Sequence, residues 1–363
     1  MLSRKVLFFL LATVGVQAQV CTTLQECYQA ATATYPVSRQ DALLQSSNRL
    51  ALRNLNATYF PQLELSGQAT WQTEVTELQL PAGLPFEAPT LSPDQYKLTL
   101  DIRQFLWDGG LTSRMKSVQE ASYLSEKQKL QVELYKLRDR VNQWYFGILQ
   151  LDEQARIAGL LISDLDARIK KTQAAIANGV AIPMNLQMLE AEKLKGQQRL
   201  TEIYASRQAA VRMLSLLTGK DFPENTVFEK PALPASATTA IQRPELAAFQ
   251  AQQTLLDQQQ QAVVARSMPK ISAFVTGGYG RPGLNFLLDE FRFFAITGLG
   301  LKWNFTDLLS GKAVNERQLL QLQKETATLQ QDVFVLNTNL QLQQLQAEIQ
   351  KLETLLSSDR QLL

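Results

Sequence analysis

The chain has no histidine among its 363 residues, which removes the commonest general base and the commonest metal ligand together. Serine–histidine and cysteine–histidine nucleophilic catalysis lack a constituent, and a transition-metal centre has no cysteine pair at ligand spacing to draw on. No catalytic, cofactor-binding or metal-ligating set is therefore assigned, and no cofactor is expected. Charge of one sign is missing too. The 36 basic residues against 34 acidic ones leave nothing that steers the chain to nucleic acid. Beyond the N-terminus no uninterrupted apolar run approaches the ~20 residues of a membrane-crossing helix. A membrane protein with this sequence has to span as strands.

The one compact apolar run, residues 6–14, follows Arg4 and Lys5 and precedes Val16-Gln17-Ala18. This is the tripartite form of an export signal, cleaved before Gln19. At about nine residues it is roughly half a membrane span, so a retained anchor is not expected. Cys21 follows, but Val20 stands where a lipid-anchor signal has a small residue, and an ordinary unlipidated cysteine is the reading. Cys21 and Cys27 are the only cysteines. An exported chain permits a disulfide between them, and free thiols are equally compatible with the sequence. Such a short loop would add little stability, because the closure entropy it removes grows with loop length.

What is present is an internal repeat. Phe60-Pro61-Gln62-Leu63 matches Met268-Pro269-Lys270-Ile271, and Leu106-Trp107-Asp108-Gly109 roughly matches Asn304-Phe305-Thr306-Asp307, at an offset of about 200 residues. Each half carries alternating segments. Leu63, Leu65, Ala69 and Trp71 alternate with Glu64, Ser66, Gln68, Thr70 and Gln72; Tyr96, Leu98, Leu100 and Ile102 alternate with Lys97, Thr99, Asp101 and Arg103. In the second half Ile271, Ala273, Val275 and Tyr279 alternate with Lys270, Ser272 and Thr276, although Phe274 interrupts the polar side. The last segment, 293–305, sets Ala295, Leu299, Leu301, Trp303 and Phe305 against Gly298, Gly300, Lys302 and Asn304. Period two predicts strands with one apolar face. At roughly ten to thirteen residues they suit the tilted strands of a membrane barrel better than an ordinary globular sheet. Trp71, Tyr96, Trp107, Tyr279 and Trp303 fall near strand ends, as an aromatic girdle requires. Four strands cannot close a barrel, so several copies must contribute. The loops 75–94 and 281–292 are expected to be extracellular, the first being rich in proline (Pro81, Pro85, Pro89, Pro93).

After Gly109-Gly110 the period changes. Leu130, Leu134, Leu137, Val141, Trp144, Ile148, Leu151, Ala155, Ala158, Ile162, Leu165 and Ile169 follow four-three spacing, a sustained coiled-coil seam. Residues 111–178 contain no proline, which predicts one helix of about 68 residues reaching roughly 100 Å. Asn178-Gly179 reads as its C-terminal cap and Pro183 as part of the turn, with a second helix over 185–217. The second half predicts a long helix from Ala313 with one stripe of Leu329, Val333, Leu336 and Leu340 and another of Leu342, Leu345, Ile349, Leu352 and Leu356. Two stripes suit a helix wedged between two neighbours. The organisation is thus a signal over 1–18, a first repeat over 19–220, a linker over 221–240 rich in Pro, Ala and Thr, and a second repeat over 241–363.

With this repeat, the strand ending Phe105-Leu106-Trp107-Asp108-Gly109-Gly110 and the turn Asn178-Gly179-Val180-Ala181-Ile182 in order, nearly the whole mature chain resembles the TolC-type outer-membrane efflux protein family. The resemblance implies a mainly α fold with a small antiparallel β part. Long coiled-coil hairpins form a periplasmic α-barrel, and each subunit of a homotrimer gives four strands to a twelve-stranded outer-membrane β-barrel. It implies an outer-membrane channel subunit of a tripartite efflux or type I secretion system, partnered by a periplasmic adaptor, an inner-membrane transporter and outer-membrane lipid. Apolar strand faces then meet lipid, and Glu64, Gln68, Lys97, Asp101, Arg103 and Lys302 line the lumen. Gly179, Val180, Ala181, Ile182 and Asn185 become the periplasmic tip where the adaptor docks. Asn185 stands near where many relatives carry an acidic residue, which speaks against a charge-based gate there. The repeat also leads one to expect about 55 further residues, a second tip and a returning helix, beyond Leu363.

Competing chemistry is thin. Glu190 and Glu192, like Asp164 and Asp166, sit at two-residue helical spacing and point to different faces. Gly277-Gly278-Tyr279-Gly280 runs from a strand into a loop without the lysine of a phosphate loop. The sequons Asn56-Ala57-Thr58 and Asn304-Phe305-Thr306 are frequent by chance. Against the channel stands a non-channel alternative, a periplasmic coiled-coil adaptor or surface structural protein with a soluble β-domain.

Overall fold

A computed structural model describes residues 21–76, 91–223, 225–232 and 241–362. The export signal, Pro81, Pro85 and Pro89 of the first loop, and residues 224 and 233–240 of the linker lie outside the described residues, as does the Cys21 side chain. In chain order the elements are β1 (Cys21–Thr22), α1 (Leu24–Thr34), a 3-10 turn (Pro36–Arg39), α2 (Gln40–Ala57), β2 (Gln62–Trp71), β3 (Asp94–Trp107), α3 (Leu111–Ala177), α4 (Pro183–Thr218), β4 (Val227–Phe228), α5 (Pro244–Arg266), β5 (Lys270–Arg281), β6 (Arg292–Lys302), α6 (Thr306–Leu309) and α7 (Lys312–Leu362). The fold is mainly α with a small antiparallel sheet.

Two compact units are built from these elements. The first joins Met1–Gln40 to Leu130–Ile241. Its core is the α3 seam (Leu137, Val141, Ile148) packed on Ala210, Val211 and Leu214 of α4, closed by Cys27 and Ala31 of α1 and by Phe222 and Phe228. All twelve seam positions are buried or half-buried. Tyr145, next in sequence to the seam position Trp144, is also fully buried. Its hydroxyl shares its one proton between the Thr22 and Glu229 carbonyls, 2.9 and 2.7 Å away, which anchors the short parallel β1–β4 pair to the helix. Cys27 is a free, fully buried thiol, and burial pushes its pKa up to about 11.

The second unit joins Asp41–Lys129 to Gln242–Leu363. It holds a sheet of order β2-β3-β5-β6, antiparallel throughout. The two strand pairs of the repeat meet at β3–β5, where Leu98 lies opposite Tyr279 and Ile102 opposite Val275. A register shift between Phe105 and Trp107 breaks the pleat at the helix end of β3. Helix α5 packs against α7 through the Phe249 and Phe334 rings, 6.0 Å apart, and Ala327, which is buried.

Four boundaries differ from the sequence expectation. Helix α4 starts at Pro183 rather than Asn185, since proline at the first helical position loses no hydrogen bond. Strand β6 stops at Lys302; Trp303, Asn304 and Phe305 leave the ladder. A single turn, α6, follows before Gly311 (φ +71°) opens α7 at Lys312 rather than Ala313. Strand β3 begins at Asp94, two residues before the alternation becomes clear.

Candidate functional site

The register sorts the sheet into two faces. On one, Leu63 faces Ile102, Leu65 faces Leu100 and Gly67 faces Leu98 across β2–β3, while Ala273 faces Leu299 and Tyr279 faces Phe293 across β5–β6. This apolar face is uncovered: Leu65 is 71% exposed, Leu299 74% and Phe293 86%. Aromatics gather at its two ends. Trp71, Tyr96, Tyr279, Phe291 and Phe293 lie at the loop end, with Tyr279 and Phe293 rings 4.6 Å apart, and Trp107, Trp303 and Phe305 lie at the helix end. Arg281 pairs with Asp94 and lies over the Tyr96 and Phe291 rings at 5.8 and 5.4 Å, tying the two loops at that rim.

The opposite face collects the polar residues. Gln68 faces Lys97, Glu64 faces Asp101 and Gln62 faces Arg103 on β2–β3, while Lys270 faces Lys302 on β5–β6. All six residues expected to share a lumen, Glu64, Gln68, Lys97, Asp101, Arg103 and Lys302, therefore share this face. Thr276 donates to the Asp101 carboxylate, and Thr99 does so at 3.2 Å.

The alternation had set Lys270 on the polar side without counting it among the lumen residues, and Arg292, on the same side of β6 as Lys302, joins it by the same parity. Phe274, which interrupts that side in the sequence, and Phe294 also lie on this face. A Cβ on Gly278 would sit 2.3 Å from the Phe294 ring, and one on Gly298 would sit 2.9 Å from Phe274. Each ring lies across the glycine opposite it, so the glycines act as slots for aromatic side chains on adjacent strands. Lys97 extends over the Phe294 ring at 5.3 Å.

The passage from sheet to helix is organised by Asp108, buried just after β3. Its carboxylate accepts from the Gly110 and Thr112 amides at 3.0 and 2.7 Å and from the Tyr59 hydroxyl at 2.8 Å. Burial pushes this carboxyl up, but the hydrogen bonds outweigh it and hold its pKa below the ordinary aspartate value. A depressed folded pKa means that ionised Asp108 contributes stability above about pH 4, lost as the pH falls through the folded value. Asp108→Asn is expected to speed amide exchange in the first turn of α3 at pH 7, by the equivalent of about 1–3 kcal/mol. The gap between variant and native should narrow at pH 3. A gap of equal size at both values would count against the charge.

The tip between α3 and α4 closes as a Schellman motif. Gly179 (φ +73°) donates to the Ile176 carbonyl at 2.9 Å and Val180 to that of Ala175 at 2.9 Å. The chain turns through Ala181, Ile182 forms the extended cap of α4, and Asn185 lies exposed in its first turn. Val180 is 78% exposed and Ile182 59%, whereas Ala181 is half-buried. The apolar tip expected over Val180, Ala181 and Ile182 is thus carried by its two outer residues, with Met184 and Met188 exposed beside them.

Three of the four carboxylates weighed as catalytic pairs are held by surface cations instead. Asp164 pairs with Arg168 at 2.7 Å, Asp166 with Lys193 at 2.6 Å and Glu192 with Lys195 at 3.4 Å. Among the described residues no group of three His, Cys, Asp or Glu side chains converges to hold a metal ion, and no helix is long and apolar enough to cross a membrane.

Several solved structures share this arrangement. The outer membrane protein VceC of Vibrio cholerae superposes with a TM-score of 0.61 at 15% identity, over 86% of this chain and 75% of that one. CusC, studied for its folding and transmembrane channel formation, gives 0.60 at 15% identity, over 85% and 71%. The Campylobacter jejuni CmeC outer membrane channel gives 0.58 at 13% identity, over 86% and 67%. No protein-family model and no curated protein sequence matches the chain.

Proposed function

We propose that this chain, which has the fold of TolC-type outer-membrane channels, is the outer-membrane subunit of an export conduit. Three copies set their sheets edge to edge in one twelve-stranded barrel, and the long helices form the wall of a periplasmic tunnel. The observation that carries this reading is the uncovered apolar face on strands of 10, 14, 12 and 11 residues. These lengths suit a crossing at a tilt. Among the described residues β2 and β6 each have one unpaired edge, which lipid does not tolerate and which a closed ring of sheets removes. The apolar face then meets lipid, the polar face meets water, and the aromatic bands sit at the two interfaces. Both stripes of α7 support assembly as well, since Leu329, Val333, Leu345 and Ile349 are all exposed in the single chain.

In this reading the protein transfers no chemical group. It supplies a wet path, while an inner-membrane transporter supplies the energy through a periplasmic adaptor, as in tripartite efflux or type I secretion. Purified full-length protein in a planar bilayer is expected to give stepwise single-channel conductance; a monomeric, non-conducting species would sink the proposal.

The tip of Val180 and Ile182 is the proposed adaptor contact, because exposed apolar residues at a turn invite burial by a partner. Val180→Asp with Ile182→Asp is expected to abolish adaptor cross-linking and export while leaving bilayer conductance intact. Undiminished cross-linking would remove the tip from the docking surface.

A further inference from the structure

We propose that the conduit prefers anions, and that Arg103, Lys270 and Lys302 set the preference; this rests on the channel reading above. The register places five cations on the polar face, Lys97, Arg103, Lys270, Arg292 and Lys302, against two carboxylates, Glu64 and Asp101. At the loop end the excess is weakened, because Arg292 pairs with Glu290 at 3.1 Å. At the helix end it is not. Arg103, Lys270 and Lys302 take part in no ion pair among the described residues.

Lys270 and Lys302 stand directly opposite each other on β5 and β6, and like charges in that position destabilise a sheet. Neither the pairing nor its neighbours relieve the repulsion: the residues between this pair and the level of Arg103 are Ser272, Gly300 and Phe105, all uncharged. The carboxylates come in one step further toward the loops. Glu64 and Asp101 lie opposite each other, about 7 Å beyond Arg103 along the strand. An ion arriving from the helix end therefore meets the cationic band first. Repeated in each subunit, the band becomes a ring of Arg and Lys side chains, the arrangement by which pores select anions. A mobile anion supplies the countercharge that the fold withholds from Lys270 and Lys302. The class of cargo this favours is anionic.

The test is the reversal potential of the full-length protein in a planar bilayer across a potassium chloride gradient. Chloride is expected to be the more permeant ion. Lys270→Glu with Lys302→Glu should lower the chloride-to-potassium permeability ratio roughly tenfold or invert it, since a ring of opposite sign reverses the local potential. A native channel that prefers potassium, or a double variant with an unchanged reversal potential, would overturn the proposal while leaving the channel itself standing. Absence of any conductance would overturn both. If the double variant does not insert, Lys302→Gln must still move the reversal potential toward the potassium side, and its failure to do so counts as refutation.

Discussion

In the proposed channel, Leu65→Arg is expected to keep the protein out of the outer membrane. Leu65 lies in the middle of β2, opposite Leu100 on the apolar face, and is 71% exposed in the single chain. The substitution therefore takes nothing out of a core. If that face met water, stability would change by no more than about 0.5 kcal/mol. Against lipid near the bilayer midplane, an arginine costs about 2–4 kcal/mol. The cost recurs in every subunit, so assembled trimer should fall steeply. Ser66→Arg, next in sequence but on the polar face opposite Thr99, is the matched control and should still assemble. Membrane fractionation and heat-modifiable mobility read both. A Leu65→Arg protein that fractionates and migrates as the native one does would favour the soluble coiled-coil adaptor over the channel.

The second large effect is expected at the strand-to-helix junction, where Gly109→Ala should destabilise the protein by about 2–5 kcal/mol. Gly109 has a φ of +73°, and a Cβ there would lie 2.5 Å from the Met268 Cβ and 3.2 Å from the Pro269 carbonyl oxygen. The left-handed backbone accounts for about 1–2 kcal/mol. Overpacking adds about 1–3 kcal/mol, because neither neighbour is the free end of a flexible side chain. Gly110, with φ +78° and open space around its Cβ position, isolates the backbone contribution. Denaturant titration in detergent should rank Gly109→Ala well below Gly110→Ala in stability. Equal losses would mean that the approach to Met268 is not tight.

Much of the architecture is written in local periodicity. The α3 seam was readable because a core-facing helix buries every third or fourth residue whatever packs on it. The tip was readable because Asn178-Gly179 can end a helix in the left-handed conformation. The two faces of β2 and β3 followed from strict alternation, since a strand turns successive side chains to opposite sides. Legibility failed where alternation and the strand ladder parted. Phe274 looked like an intrusion on the polar side of β5, but it has a place there because Gly298, on the next strand, leaves a slot for its ring. Strand β6 was read too long because Trp303 and Phe305 continue the alternation after the ladder has ended. Trp303 instead donates to the Ser267 carbonyl at 3.0 Å.

By itself, then, the sequence determined the long helices and the four long strands to within a few residues, the coiled-coil seam and an apolar and a polar side for each strand. All of these depend on residues within a few positions of one another. Only the tertiary structure decided that β3 joins β5, that Lys270 confronts Lys302, that Phe294 covers Gly278, and that the Tyr145 hydroxyl holds the β1–β4 pair. These contacts join distant segments. Their partners are chosen by register and packing across the sheet and the helical core, which no periodicity along a single segment encodes.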